Sequence, residues 1–357
     1  MRIIPILLAI LGMNFYVFFR LSRLVCADTR IYAPILLTIL FVAMFTIPAL
    51  TGTAPTLYRA ATAWFFIALY LLLIFLAMDL LRLALPMQKI LNGNLITLGA
   101  LALVMTAVFT CGYIHYKDKK RVELSITVGA KNLSPLRIVA ISDLHLGYTI
   151  DKTELDQWIK LINAEHPDLV LIAGDIKDNN LRPLTEQNMA ASFRNIKSKY
   201  GTFACSGNHE YIGDTTKMTN FFRDANITLL RDSSVLINNR FYIIGREDRS
   251  RPHRRPLAGI VKAGCPLPLP IILLDHQPFH LEEAEQNNIT LQISGHTHHG
   301  QVLPLSWITN LMYETAHGYL RKGNTHIYVS SGIGIWGGKF RIGTQSEYAV
   351  IEMKNEE

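Results

Sequence analysis

Five short segments of this 357-residue chain carry the side chains best suited to gripping metal ions: Asp143-Leu-His145, Gly174-Asp175, Gly207-Asn-His-Glu210, Asp275-His276 and Gly295-His-Thr-His298. They offer carboxylates, imidazoles and one amide oxygen, with no thiolate cluster. That mixed nitrogen and oxygen set suits Mn, Fe, Zn or Co rather than a structural zinc finger. Two such ions held together activate water and offset charge on a phosphoryl group, so the chemistry implied is hydrolysis of a phosphate ester or anhydride.

The segments differ in force when taken singly. Asp143 and His145 are two positions apart at the end of an apolar run, so both can face one side. Asp175 alone would be an ordinary loop carboxylate, but an oxygen anion is what can bridge two cations. Asn208 supplies a neutral carbonyl ligand, and His209 beside it can give a proton or hydrogen bond to a phosphate. His296, His298 and His299 fall within four positions between Gly295 and Gly300, which is costly to bury and unusual on a surface. Taken together the set requires five independent accidents if it is not a site.

Positioning such residues takes a sheet whose strands all end at one crevice. Val122–Val128 alternates as a strand, and Leu136–Ile141, Leu169–Ala173 and Thr202–Ser206 are short apolar runs that stop just before Asp143, Gly174-Asp175 and Gly207-Asn208. Asp151 and Glu154 form a capping box for a helix to about Ala164, and a second helix is expected over Thr185–Lys199. Motifs about thirty residues apart converge because ligand crevices in α/β sheets lie at the carboxyl ends of the strands. Shorter strands follow over Val235–Ile237, Phe241–Ile244 (across Asn238-Asn239), Ile271–Leu274, Leu291–Ser294, Thr325–Val329 and Tyr348–Glu352, consistent with a second, mixed sheet.

The chain before residue 117 is of another kind. Ile3–Phe19, Ile31–Tyr58, Ala60–Met78 and Ile90–Ile114 are charge-poor and each can supply a bilayer-spanning helix, giving four spans. The first run reads as a retained anchor, because Arg20 and Arg23 follow it without a small-residue cleavage site. Asp79 lies one helical turn from Arg82, which makes a local ion pair at the interface the expectation rather than a transport pathway. The formal charge of +7 does not argue for nucleic acid: residues 1–116 carry +5, Lys117–Arg121 carry +3 and the remainder −1. Lys117–Arg121 is placed either to meet anionic headgroups or to serve as a solvated stop. Cys26, Cys111, Cys205 and Cys265 have no paired spacing, which favours a reducing compartment for the soluble part.

These motifs, in the order D-x-H, G-D, G-N-H-E, H and G-H-x-H, resemble those of the calcineurin-like metallophosphoesterases, over roughly residues 135–355. Asp-Leu-His-Leu-Gly, Gly-Asn-His-Glu and Ser-Gly-His-Thr-His with Gly-Gln after it are similar to the bacterial YkuE-type branch, whose members carry N-terminal spans or export signals. The resemblance implies an α/β fold, a four-layer α/β/β/α sandwich, and the four apolar runs would place an all-α four-helix transmembrane region before it. Its domains would be 1–116 in the membrane, 117–134 a juxtamembrane basic segment and first strand, and 135–357 the phosphoesterase domain.

Carried over by motif, one divalent metal ion is expected on Asp143, His145, Asp175 and His298, and a second on Asp175, Asn208, His276 and His296, with His209 as the catalytic histidine at the leaving group. Two departures stand out: His299 replaces the glycine usual after the last motif, and Ile335-Trp-Gly-Gly-Lys-Phe replaces a proline-containing stretch. His299 is expected to touch substrate or simply to point outward, and Arg341 to bind phosphate, although a structural salt bridge suits Arg341 at least as well.

The resemblance implies an enzyme, a metal-dependent phosphoesterase. Similar family members hydrolyse UDP-2,3-diacylglucosamine in lipid A biosynthesis, so a lipid-linked phosphoester or phosphoanhydride is the first expected substrate. The apolar stretch Leu303–Leu320, with Trp307, Tyr313 and Tyr319, could face such a lipid or pack on its own domain. A soluble nucleotide or small phosphodiester is the alternative substrate. A non-catalytic membrane sensor or scaffold is the third reading, and the full ligand set argues against it. The expected location is the inner (cytoplasmic) membrane, multi-pass, with the catalytic domain on the cytoplasmic face.

Overall fold

A computed structural model describes residues 3–25, 31–51, 55–84, 95–129 and 134–355. Arg2, Cys26, Asp28, Arg30 and Lys89, which enter the charge and cysteine readings above, lie outside those residues. The chain forms two compact units, one of residues 1–113 with 337–339 and one of residues 114–336 with 340–357.

The first unit is helical: α1 (Ile3–Val25), α2 (Tyr32–Thr51), α3 (Pro55–Ala84) and most of α4 (Leu95–Lys117). Each of the four apolar runs thus contributes a helix, although the second run was expected to reach Tyr58, which lies in α3, and residues 52–54 and 90–94 of the runs lie outside the described residues. Among the described residues, Thr56–Leu83 and Ile96–Lys117 are long and apolar enough to cross a membrane. Val17, Leu24, Leu71 and Phe75 pack α1 on α3. Asp79 does pair with Arg82 at 3.2 Å, but it also takes Arg20 at 2.5 Å and the Tyr16 hydroxyl at 2.5 Å from α1. The ion pair expected to be local therefore fastens two helices together.

The second unit is a four-layer sandwich. One six-stranded sheet has the order β1-β12-β2-β3-β4-β5, and the other β10-β11-β9-β8-β7-β6. In the first, β1 is Lys119–Val128, β2 Leu136–Ile141, β3 Leu169–Ile172, β4 Thr202–Cys205, β5 Ile227–Leu230 and β12 Ser346–Asn355. In the second, β6 is Ser233–Ile237, β7 Phe241–Gly245, β8 Ile271–Leu274, β9 Leu291–Ser294, β10 Gly318–Lys322 and β11 Thr325–Val329. Both faces of the central strands are covered, which is why they read as continuous apolar runs. Along β2 and β3, Leu136, Ile138, Leu169 and Leu171 enter the layer between the sheets, where Ile272, Leu274, Leu291 and Ile293 meet them. Val139, Ile141, Val170 and Ile172 alternate to the other face, under the helices.

The N-cap half of the expected capping box forms, while the Glu154 carboxylate takes the Tyr116 hydroxyl. Asp151 accepts the Glu154 N–H at 3.3 Å and starts α5 (Lys152–Ala164), which buries Leu155, Trp158, Ile159 and Ile162. The helix expected over Thr185–Lys199 is instead two short ones, Arg182–Glu186 and Met189–Phe193. Asn188 between them is left-handed at φ 50°, which no continuous helix tolerates. Two edge strands, β5 and β10, and a helix over Thr215–Asp224 were not foreseen. The headgroup reading of Lys117–Arg121 is corrected in part. Arg121 pairs with Glu165 at 2.7 Å, Lys117 lies 3.9 Å from Glu154, and Lys119 covers the Tyr116 ring at 3.6 Å. Among the described cysteines, Cys111, Cys205 and Cys265 are unpaired.

Candidate metal centre

The strand ends deliver the side chains. β2 runs out at Asp143, β3 at Asp175, β4 at Asn208, β8 at Asp275-His276 and β9 at His296. Backbone bonds lace the turns together: Asp143 N–H to Gly174 O at 3.1 Å, His145 N–H to Asp175 O at 3.0 Å, and Gly295 N–H to His276 O at 2.9 Å. The glycine before Asn208 is required by space, since a Cβ on Gly207 would collide with the Asp175 carboxylate. Gly174, at φ 86°, combines a left-handed backbone with a close approach to Gly207.

Three groups of side chains gather here, each with ligand atoms mutually within 4.8 Å: Asp143, His145 and His298; Asp175, His276 and His296; and His145, Asp178 and His209. The His298 Nε2 lies 3.4 Å from Asp143 Oδ1 and 3.0 Å from His145 Nε2. The Asp175 Oδ2 lies 3.2 Å from His276 Nε2 and 3.7 Å from His145 Nε2, so this carboxylate stands between the first two groups. Asp143, His145, Asp175, His296 and His298 all hold φ between 45° and 71°. Such conformations cost about 1–3 kcal/mol each at non-glycine residues, so the surrounding structure enforces them.

The donor set fits cations. Asn208 Oδ1 is buried with no hydrogen-bond partner, a state that costs free energy unless something else satisfies it, and His276 Nε2 faces the Asp175 carboxylate at 3.2 Å. His276 Nδ1 donates to the Ala173 carbonyl at 2.6 Å, which orients Nε2 inward. Burial, with His209 and His145 as the next causes, holds His145 and His298 well below the ordinary histidine pKa, and burial lowers His296 to about 4. These imidazoles are therefore neutral and keep a lone pair to coordinate. Burial opposes the charge on Asp175, but His276 outweighs it and holds that carboxyl well below its usual value. Asp143 is pushed up to about 6 by burial, a penalty that a cation at its oxygens would offset.

His209, in the third group, is placed beside the other two. Its backbone N–H donates to Asp175 Oδ1 at 2.9 Å and its Nδ1 donates to the Asp178 carbonyl at 3.1 Å, leaving Nε2 for a substrate. Its ring meets His145 edge-on at 4.6 Å. Two residues here had no role in the sequence reading. Asp178, with Oδ1 3.8 Å from both His145 Nδ1 and His209 Nδ1, completes the group it forms with those two histidines. Glu210, 3% exposed, accepts the backbone N–H groups of Gly207, Asp175 and Ile176 at 2.7, 2.8 and 2.9 Å. Its presence in the Gly-Asn-His-Glu segment was the available signal.

Arg341 corrects the expectation of a substrate contact. It is 0% exposed and donates to the carbonyls of His298 (2.7 Å), Ser331 (2.5 Å), Gly332 (3.1 Å) and Gly334 (2.8 Å), with Nε on Ser346 Oγ. It is an internal strut for the His298 turn, and the salt bridge expected as the other possibility is also replaced by these carbonyls. His299 keeps a left-handed backbone at φ 50°, so the loop retains the glycine-like shape without the glycine. Its ring stacks on His317 at 4.7 Å, and His317 binds Glu347 at 3.0 Å.

The helix Leu305–Met312 leads out of this last turn. The Gly300 backbone lies against Leu305 and Ser306. Trp307 is 65% and Leu311 89% exposed, with Ile308 and Met312 also open. Of the two alternatives for this stretch, packing on its own domain is thus not what these four side chains do.

Comparison with known proteins agrees with this geometry. Residues 136–300 match the calcineurin-like phosphoesterase family. An uncharacterized metallophosphoesterase of Campylobacter jejuni is 28% identical over 368 residues, 98% of this chain and 97% of its own. The transmembrane protein with metallophosphoesterase domain of Danio rerio is 32% identical over 273 residues, 71% of this chain and 62% of its own. The metallophosphoesterase YkuE of Bacillus subtilis is 27% identical over 276 residues, covering 72% and 94%. The chain spans 60% of the length of a Helicobacter pylori relative, and so less than two thirds of that protein and of the Danio rerio one.

Proposed function

We propose, from the premise that residues 136–300 form a calcineurin-like phosphoesterase domain, that this protein is a membrane-anchored dinuclear metallophosphohydrolase acting on a lipid-linked phosphoester or phosphoanhydride such as UDP-2,3-diacylglucosamine. One ion would be held by Asp143, His145, Asp175 and His298, the other by Asp175, Asn208, His276 and His296. When bound, the two cations lower the pKa of water and offset the charge on the phosphoryl oxygens. Among this chain's own residues, Asp175 ties the two halves of the site together. His209, with Nδ1–H fixed on the Asp178 carbonyl, directs Nε2 to hydrogen-bond or protonate the leaving oxygen.

The lipid reading is carried by one observation, the exposed apolar helix Leu305–Met312 leaving the His296–His298 turn. Large side chains such as Trp307 and Leu311 left open beside a reaction centre suit an acyl chain or the bilayer holding it. The apolar helices α3 and α4, and the name of the Danio rerio relative, support an anchored enzyme. The inner membrane, crossed several times, with the domain on the cytoplasmic face, fits unpaired cysteines and a nucleotide-linked lipid.

Trp307→Ser with Leu311→Ser in the full chain tests this. The ratio of turnover on UDP-2,3-diacylglucosamine in mixed micelles to turnover on bis(p-nitrophenyl) phosphate is expected to fall about tenfold, the effect of losing roughly 1–2 buried methylene-rich contacts. An unchanged ratio would return the substrate to a soluble nucleotide or small phosphodiester.

A further inference from the structure

We infer that Arg249 and Arg251, on the loop after β7, bind an anionic group of the substrate beyond the phosphate being cleaved, namely the second phosphate of a diphosphate ester. The inference rests on the phosphohydrolase reading above and adds to it the side chains that recognise the substrate's charge.

The loop carries five arginines, Arg246, Arg249, Arg251, Arg254 and Arg255. Three are occupied within the domain. Arg246 and Arg254 both pair with the buried Asp275 carboxylate, Arg246 at 3.3 Å, next to His276. Arg255 donates to the Asp232 backbone carbonyl at 3.2 Å. Arg249 and Arg251 are exposed, and among the described residues neither has a carboxylate within ion-pair distance.

Both are nevertheless held in place by rings. The Arg249 guanidinium lies 4.0 Å from the Phe279 centroid, Phe279 packs on Tyr313 at 4.6 Å, and Tyr313 stands 6.5 Å from the His296 ring. Arg249 therefore ends an aromatic wall that begins at a candidate metal ligand. Arg251 lies 4.7 Å from the ring of Tyr211, two residues after His209. One loop thus sets one cation by the His296 wall and another by the His209 turn.

Stacking engages only the flat face of a guanidinium. A guanidinium held against a ring by cation–π attraction keeps N–H donors for other acceptors, and these suit paired phosphate oxygens. A substrate whose only anionic group is the phosphate under attack would leave both arginines unused. A diphosphate ester would bring a second charged group to them.

The test uses full-length protein and competitive inhibition of bis(p-nitrophenyl) phosphate hydrolysis by UDP-glucose, a soluble diphosphate diester. In Arg249→Ala/Arg251→Ala the Ki for UDP-glucose is expected to rise at least about tenfold more than the KM for the diester, the loss of charge-assisted hydrogen bonds to phosphate. Arg249→Lys/Arg251→Lys should recover part of it, because charge returns without the fork. A Ki that moves no more than KM, or wild-type protein that hydrolyses the diester without inhibition by UDP-glucose, overturns the inference. Wild-type protein with metals bound that hydrolyses no diester would instead overturn the phosphohydrolase reading itself.

Discussion

The Glu210 carboxylate accepts the Asp175 backbone N–H at 2.8 Å, across 35 residues of sequence. It holds the Gly207 and Ile176 N–H groups as well, so one side chain sets the mutual position of the β3 and β4 turns. In Glu210→Gln one of the two acceptor oxygens becomes a donor facing N–H groups. The expected result is a loss on the order of 2–3 kcal/mol in stability, from unsatisfied buried groups. Metal affinity should fall with it. Thermal unfolding and metal analysis of the purified variant measure both, and wild-type values for each would show that the turns hold without it.

Asp175→Ala and His296→Ala each remove a proposed ligand from the group of Asp175, His276 and His296. Both variants should lose phosphoesterase activity and contain less metal per chain, read by elemental analysis alongside diester hydrolysis. Full activity of metal-replete Asp175→Ala would sink the two-ion arrangement.

His209→Ala should separate chemistry from metal binding. Its Nδ1 is committed to the Asp178 carbonyl and the two proposed ion sites do not use it, so metal content is expected to persist while kcat falls by about 10²–10⁴, the range for losing a general acid. Metal loss in this variant would make His209 a ligand instead.

Glu165 governs part of the acid stability. Hydrogen bonds from Arg121, then Arg137 and Tyr348, outweigh burial and hold its pKa down to about 2, against an ordinary 4.5. A depressed carboxyl stabilises the fold above its unfolded pKa. That contribution is complete above about pH 4.5 and is lost as pH falls toward 2. Glu165→Gln should cost roughly 1–2 kcal/mol at pH 7 after solvent screening, and the gap to wild type should close below pH 4.5. Denaturant titrations at pH 7, 4.5 and 3 measure this. A gap that widens on acidification would reverse the sign.

Much of this architecture could be read from the residues because the chemistry sits where strands stop. Leu136–Ile141, Leu169–Ile172 and Leu291–Ser294 are apolar on both faces, and each is followed by a turn carrying ligands. β5 and β10 escaped notice since edge strands need no continuous apolar run; Gly318–Lys322 alternates between half-buried and exposed residues. Asn188 looked helical by its neighbours, and only its left-handed backbone divides the segment. The role of Arg341 could not be read because carbonyl acceptors leave no pattern in side-chain types. Glu210 and Asp178 act through backbone atoms and ring orientation, which spacing alone does not reveal.

The order β1-β12-β2 has a consequence for how the protein is made. β1 follows α4 after a single residue, Asp118, yet its ten-residue parallel partner is β12, the last strand of the chain. During translation the edge of β2 that β12 will occupy stays open while more than two hundred residues are added between β1 and β12. Residues 346–355 slot between the first two strands, so closure of this sheet waits until that segment has been made. Nascent chains halted before Ser346 present two unpaired strand edges to whatever chaperones or neighbouring chains are at hand.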